Sequence, residues 1–131
     1  MNEESHIVAT KEAMSKAYVP YSNYQVGALI VTDKGNTYSG CNVENASYPL
    51  GNCAEASAIA SMVIGGEKKI KMIYVMTNND EGGVPCGGCR QRIREFSDAN
   101  TQIIMCSPDG VQQRINLSEL LPNSFGPEHL Q

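Results

Sequence analysis

Two short stretches gather the reactive side chains of this chain. "GNCAEASAIA" (Gly51 to Ala60) sets Cys53 and Glu55 two residues apart at the head of an alanine-rich run. "PCGGC" (Pro85 to Cys89) sets Cys86 and Cys89 three apart. Each stretch opens a predicted helix. In a first helical turn, side chains three apart face the same way. Helix N-termini favour negative charge and lower thiol pKa values, and the thiolate is the form that binds metal. Two such termini meeting after a central strand would make a three-sulfur pocket from Cys53, Cys86 and Cys89. A catalytic zinc takes three protein ligands and keeps one position open for water. Glu55 is then free to act as a base.

Each motif also has a plainer reading. A lone C-x-x-C is often half of a structural zinc site or a redox pair. A closed structural site needs a fourth ligand, for which Cys41 and Cys106 are candidates. Both look embedded in strands, where a cysteine behaves as a small core residue. The two histidines, His6 and His129, lie near the ends and read as surface residues. Asn52-x-x-Glu55 matches a capping box, with Asn52 as N-cap. A capping glutamate leaves three cysteines unexplained, however. C-x-E followed by P-C-x-x-C is the pattern of zinc-dependent deaminases of nucleobases, and this joint occurrence favours chemistry at Glu55.

The elements that position these residues follow from periodicity and turn residues. The chain has 131 residues, which suits one domain spanning 1–131. Residues 4–18 place Ile7, Lys11, Met14, Ala17 and Tyr18 at helical spacing, with Pro20 as the stop. Tyr24 to Thr32 reads as a strand, "DKGN" as a turn, and Thr37 to Val43 as the returning strand. Ala54 to Ile64 is apolar nearly all round, as in a buried helix. Ile70 to Thr77 is an apolar run fit for a central strand. Cys89 to Phe96 looks helical. Gln102 to Cys106 and Val111 to Ile115 read as strands about the turn "SPDG", with a short helix near Leu117 to Leu121. The tail "PNSFGPEHLQ" holds too much Pro and Gly to pack as an element. The order α-β-β-α-β-α-β-β-α implies an α/β fold, a mixed sheet between helical layers.

Bulk properties narrow the partners. The net charge of -4 provides no positive field for nucleic acid, so a small ligand is expected. No apolar run approaches the roughly 18–20 residues of a membrane span. The first sixteen residues are acidic and polar, unlike a secretion signal. A cytoplasmic protein is expected, in which thiols stay reduced and serve metals or catalysis.

Four stretches taken together resemble the small, homotetrameric, zinc-dependent cytidine deaminases: "PYSNYQVGA", "GCNVENASYPLGNCAE", "PCGGCRQ" and "LLPNSFGPEHL". The resemblance covers nearly the whole chain. It implies a three-layer α/β/α fold with a five-stranded mixed sheet. It also implies hydrolytic deamination of cytidine and deoxycytidine to uridine and deoxyuridine, with release of ammonia, in pyrimidine salvage. Cys53, Cys86 and Cys89 match the ligands of one zinc ion per subunit, and Glu55 matches the proton shuttle. Asn42 and Glu44 match residues that bind the ribose hydroxyls, and i, i+2 spacing on a strand would put both on one face. Tyr24 matches an aromatic beside the nucleoside. The Ala54 amide matches a donor to the pyrimidine carbonyl. Ala46 and Tyr48 match positions lent by a neighbouring subunit, and Phe125 matches an aromatic that stacks on a base across an interface. A homotetramer with shared sites is thus implied.

Two departures stand out. Such deaminases commonly carry Arg after the glutamate, where this chain has Ala56. Three thiolates on Zn²⁺ leave a formal charge of -1, and an arginine on the sulfurs would withdraw some of it. Arg90, four after Cys86, and Arg92, three after Cys89, are the candidates to take over, although "RQRIR" also reads as a solvated basic face. Tyr24 stands where Phe is usual. Alternatives are a deaminase of another aminopyrimidine nucleoside or a nucleoside antibiotic, and a non-catalytic zinc module.

Overall fold

A computed structural model describes residues 2–130. Five strands form one mixed sheet in the order β2-β1-β3-β4-β5. They are β1 (Gly27–Thr32), β2 (Thr37–Cys41), β3 (Ile70–Met76), β4 (Gln102–Ser107) and β5 (Gly110–Asn116). β3 and β4 run parallel; the other neighbours are antiparallel. The helices are α1 (Glu3–Ser15), α2 (Ala54–Ile64), α3 (Gly87–Glu95) and the single turn α4 (Leu117–Leu120), with 3₁₀ turns at Tyr48–Leu50 and Pro127–Leu130.

The central strands β1, β3 and β4 are apolar on both faces because helices cover both. Ala28, Ile30, Ile73, Val75, Ile103 and Met105 point toward α2, α3 and α4, where Ala58, Met62, Ile93 and Leu117 meet them. The alternate residues Leu29, Val31, Tyr74, Met76, Ile104 and Cys106 face α1 and Met14. The period of two along each strand therefore sorts side chains into two cores, one per face. This is the expected α/β/α arrangement.

Two glycines let helices lie close on the sheet. A Cβ on Gly40 would fall 2.4 Å from Ala58 N and 2.6 Å from Ala54 O, so α2 rests its backbone on β2. A Cβ on Gly27 would fall 2.5 Å from Met14 N, and α1 rests there in the same way.

Several boundaries differ from the sequence reading. α1 ends at Ser15, well before Pro20, because Tyr18 leaves the helix to bridge Val43. Its N–H donates to Asn42 O and its carbonyl accepts from Glu44 N–H. β1 begins at Gly27 and β2 ends at Cys41, so Tyr24, Asn42 and Glu44 lie outside the strands. His6 is buried, not a surface residue; its Nδ1 lies 3.4 Å from the Tyr74 hydroxyl. The tail does pack. Arg94 bonds Ser124 Oγ at 2.8 Å and pairs with Glu128, and Gln91 donates to Phe125 O at 2.8 Å. Among the described residues, no helix is long and apolar enough to cross a membrane.

Candidate active site

α2 and α3 pack against each other and bring their N-termini together. Cys53 is the N-cap of α2 and Cys86 the N-cap of α3, both with extended backbone. Ser, Thr, Asp or Asn usually occupies such a position and bonds the orphan amides of the first turn. Neither thiol makes a capping bond, so both are left for other partners. The capping box is not formed. Asn52 is drawn instead into a two-way backbone pairing with Val43, N–H to O at 2.9 Å each way. With Cys53 as the cap, Glu55 is the second helical residue, one place short of the capping-box position.

Cys53, Glu55 and Cys89 converge, with one ligating atom of each within 4.8 Å of the others. Cys53 Sγ and Cys89 Sγ are 2.8 Å apart. Glu55 is 4% exposed and Cys89 1%. Cys86 is exposed and falls outside this tight group, on its rim. Cys106 is buried in β4 and Cys41 half-buried at the end of β2; neither joins the cluster.

The electrostatics fit a metal centre. The Cys53 thiol is lowered to about 5, chiefly by its hydrogen bond with Cys89, helped by the nearby Arg92 cation. The Cys89 thiol is pushed up because it holds the proton of that pair and is buried. Burial, and then the Cys53 charge, push the Glu55 carboxyl up. A thiolate, a buried thiol beside it and a further thiol one helical turn away form a soft donor set of the kind zinc takes.

The two candidate arginines separate cleanly. Arg92 Nη1 lies 3.5 Å from Cys53 Sγ and 3.7 Å from Cys89 Sγ. Arg90 is committed elsewhere: Nε donates to Pro85 O at 2.9 Å and Nη1 to Leu120 O at 3.0 Å.

The remaining positions surround this centre unevenly. The Ala54 amide belongs to the first turn of α2, whose N–H groups have no intrahelical partner, and the residue is buried. Asn42 is already a loop clamp: Oδ1 accepts from Val26 N–H at 2.9 Å, and Nδ2 donates to Tyr24 O at 2.8 Å. Glu44 Oε1 accepts the amides of Tyr21 and Ser22 at 3.0 and 3.1 Å, leaving its second oxygen free of these bonds. Glu44, Tyr21 and Tyr48 line one cleft. The Tyr24 hydroxyl accepts from Asn79 Nδ2 at 3.1 Å, a partner no sequence signal pointed to. Tyr21 was within reach of such reading, since it stands in "PYSNY". Ala46, Tyr48 and Phe125 are exposed, and Phe125 stacks on His129 with ring centroids 5.4 Å apart.

Comparison with known proteins agrees with this geometry. Residues 1–105 match the model of the cytidine and deoxycytidylate deaminase zinc-binding region. A cytidine deaminase of Sporosarcina psychrophila is 36% identical over 130 residues, 99% of this chain and 96% of that protein. One from Halalkalibacterium halodurans is 38% identical over 130 residues, 99% and 98% of the two chains. The crystal structure of cytidine deaminase from Burkholderia pseudomallei superposes with a TM-score of 0.88 at 38% identity, covering 95% of this chain and all of that one. The chain belongs to the zinc-binding cytidine and deoxycytidylate deaminase family.

Proposed function

We propose that this protein hydrolyses the exocyclic amine of cytidine and deoxycytidine, giving uridine or deoxyuridine and ammonia. One observation carries the reading. Glu55 is buried, free of capping duty, and set beside Cys53 and Cys89 with its carboxyl pKa raised. Cys53, Cys86 and Cys89 would hold one zinc ion per subunit. Zinc, when bound, supplies the Lewis acidity that makes water an available nucleophile near neutral pH. Glu55 accepts a proton from the attacking water and delivers it to N3 of the pyrimidine. It then takes the proton of the hydroxyl now on C4 and passes it to the amino group, so that the C4–N bond breaks, C4=O forms and ammonia leaves. A carboxyl held above its ordinary range suits both duties.

The Ala54 amide can donate to the pyrimidine carbonyl. Glu44 and Asn42 retain acceptor capacity for the ribose hydroxyls. Tyr24 lies beside the nucleoside. In a homotetramer, Ala46, Tyr48 and Phe125 would complete a neighbour's site. All five cysteines are free, in keeping with a cytoplasmic setting.

The assay is the fall in cytidine absorbance on incubation with purified protein. We expect activity, its loss when a chelator strips zinc, and its return on adding zinc. Glu55→Gln should keep zinc and fold but lose roughly 10²–10⁴-fold in kcat. Full activity in a zinc-loaded Glu55→Gln variant would remove the assigned proton carrier.

A further inference from the structure

We propose that Arg92 is the positioning residue that sets the charge of the thiolate centre, reaching it from α3 past the small side chain of Ala56. The inference rests on the reading that Cys53, Cys86 and Cys89 hold zinc. Three thiolates outweigh a dication by one charge, so a cation that hydrogen-bonds the sulfurs has more to offset here than in a neutral donor set. Arg92 Nη1 bridges the sulfurs of Cys53 and Cys89, which belong to different helices. Among the described residues, no carboxylate pairs with Arg92, although it is exposed. A merely solvated arginine would not direct its guanidinium at two sulfurs. The other arginines of α3 are spent on Pro85 and Leu120, and on Ser124 and Glu128.

Ala56 makes the arrangement possible. It follows Glu55 on α2 and lines the same surface cleft as Arg92. A long side chain at 56 would compete for that cleft, and a second cation there would repel the first. The guanidinium can therefore come from α3, as it does here, or from α2, but one excludes the other.

The test is an exchange. Zinc affinity is measured by competition with a chromogenic chelator, and kcat and KM are determined separately. Arg92→Ala should weaken zinc binding or lower kcat by about 10–100-fold, with KM little changed. Arg92→Lys should restore only part, because a point charge cannot bridge two sulfurs as a planar fork does. Ala56→Arg combined with Arg92→Ala should recover most of the loss. Arg92→Gln, which keeps length without charge, should behave like Arg92→Ala and guards against a packing artefact. If Arg92→Ala and Arg92→Gln both match the parent in zinc affinity and kcat, the inference falls. It falls equally if Ala56→Arg rescues nothing. A parent protein that binds no zinc or leaves cytidine unchanged would instead overturn the functional reading itself.

Discussion

At the scale of single residues, the site is built from side chains that decline their usual work. Cys53 and Cys86 occupy N-cap positions without capping, and the Cys53 sulfur turns instead to Cys89 and Arg92. Glu55 is buried where a carboxylate is normally solvated, and that isolation raises its pKa. Tyr24 shows how a single hydroxyl changes a wall. Its ring borders the proposed nucleoside position, and its hydroxyl ties Asn79, in the loop that leads to Cys86, to the Asn42 side of the site. Tyr24→Phe removes that tie without removing the ring. The bond is exposed, so the expected cost is about 0.5–1.5 kcal/mol at most. That should appear as a rise in KM of no more than roughly tenfold, with kcat preserved. A collapse of kcat would show that the hydroxyl takes part in the chemistry.

At the scale of elements, the register of α2 on β2 decides where Cys53 and Glu55 stand. Gly40 allows backbone contact there, so Gly40→Ala drives a methyl group into α2. Overpacking of this kind costs about 1–3 kcal/mol. Thermal unfolding should move to lower temperature, and activity should fall because the head of α2 shifts. Unchanged stability would mean that α2 can slide without penalty. On the opposite face, α1 is docked through His6, Glu3 and Tyr74, with Arg114 reaching across from β5. Burial lowers the His6 pKa below its ordinary 6.5. The unfolded chain therefore binds a proton at His6 that the folded chain resists, and stability rises with pH across that window. The contribution is present above about 6.5 and is lost as pH falls through the folded value. Glu3, lowered chiefly by its bond to Arg114, adds a smaller loss in more acid solution, limited by its exposure. Unfolding temperatures measured between roughly pH 5 and 8 should rise with pH, and His6→Gln should flatten the slope below about pH 6.5. A slope that His6→Gln leaves unchanged would move its origin elsewhere.

At the scale of the whole molecule, several large apolar side chains face outward: Tyr48, Leu50, Ile64 and Phe125 are all more than half exposed. Tyr48 and Leu50 stand together in one 3₁₀ turn, and contiguous exposed apolar area marks association surfaces. The tail that carries Phe125 is held in place by Gln91 and Arg94 of α3, the helix that also bears Cys89 and Arg92. One nine-residue helix thus positions both the proposed metal-binding thiol and the aromatic that would serve a neighbour. Light scattering on a sizing column should give four times the chain mass. Phe125→Ala should raise KM while leaving zinc content unchanged. A fully active monomer would contradict the shared site.

Much of this was legible in the sequence, for a local reason. Cys53-x-Glu55 and Cys86-x-x-Cys89 announce themselves because helix starts and turn residues are properties of neighbouring positions. The hairpin about "DKGN" and the apolar strand of β3 are legible on the same ground. Tertiary structure alone decided the rest. Asn52 could have capped α2, but a pairing with Val43 took its backbone and handed the cap to Cys53. Spacing made Arg90 and Arg92 equal candidates; the Leu120 carbonyl claimed one and the two sulfurs the other. His6 looked like a surface residue because the sheet beneath it, with Tyr74, lies far along the chain. The tail looked structureless because its partners, Gln91 and Arg94, are likewise distant in sequence. Motifs reside in adjacent residues, whereas the choice among equivalent side chains depends on which donor or acceptor the fold brings within reach.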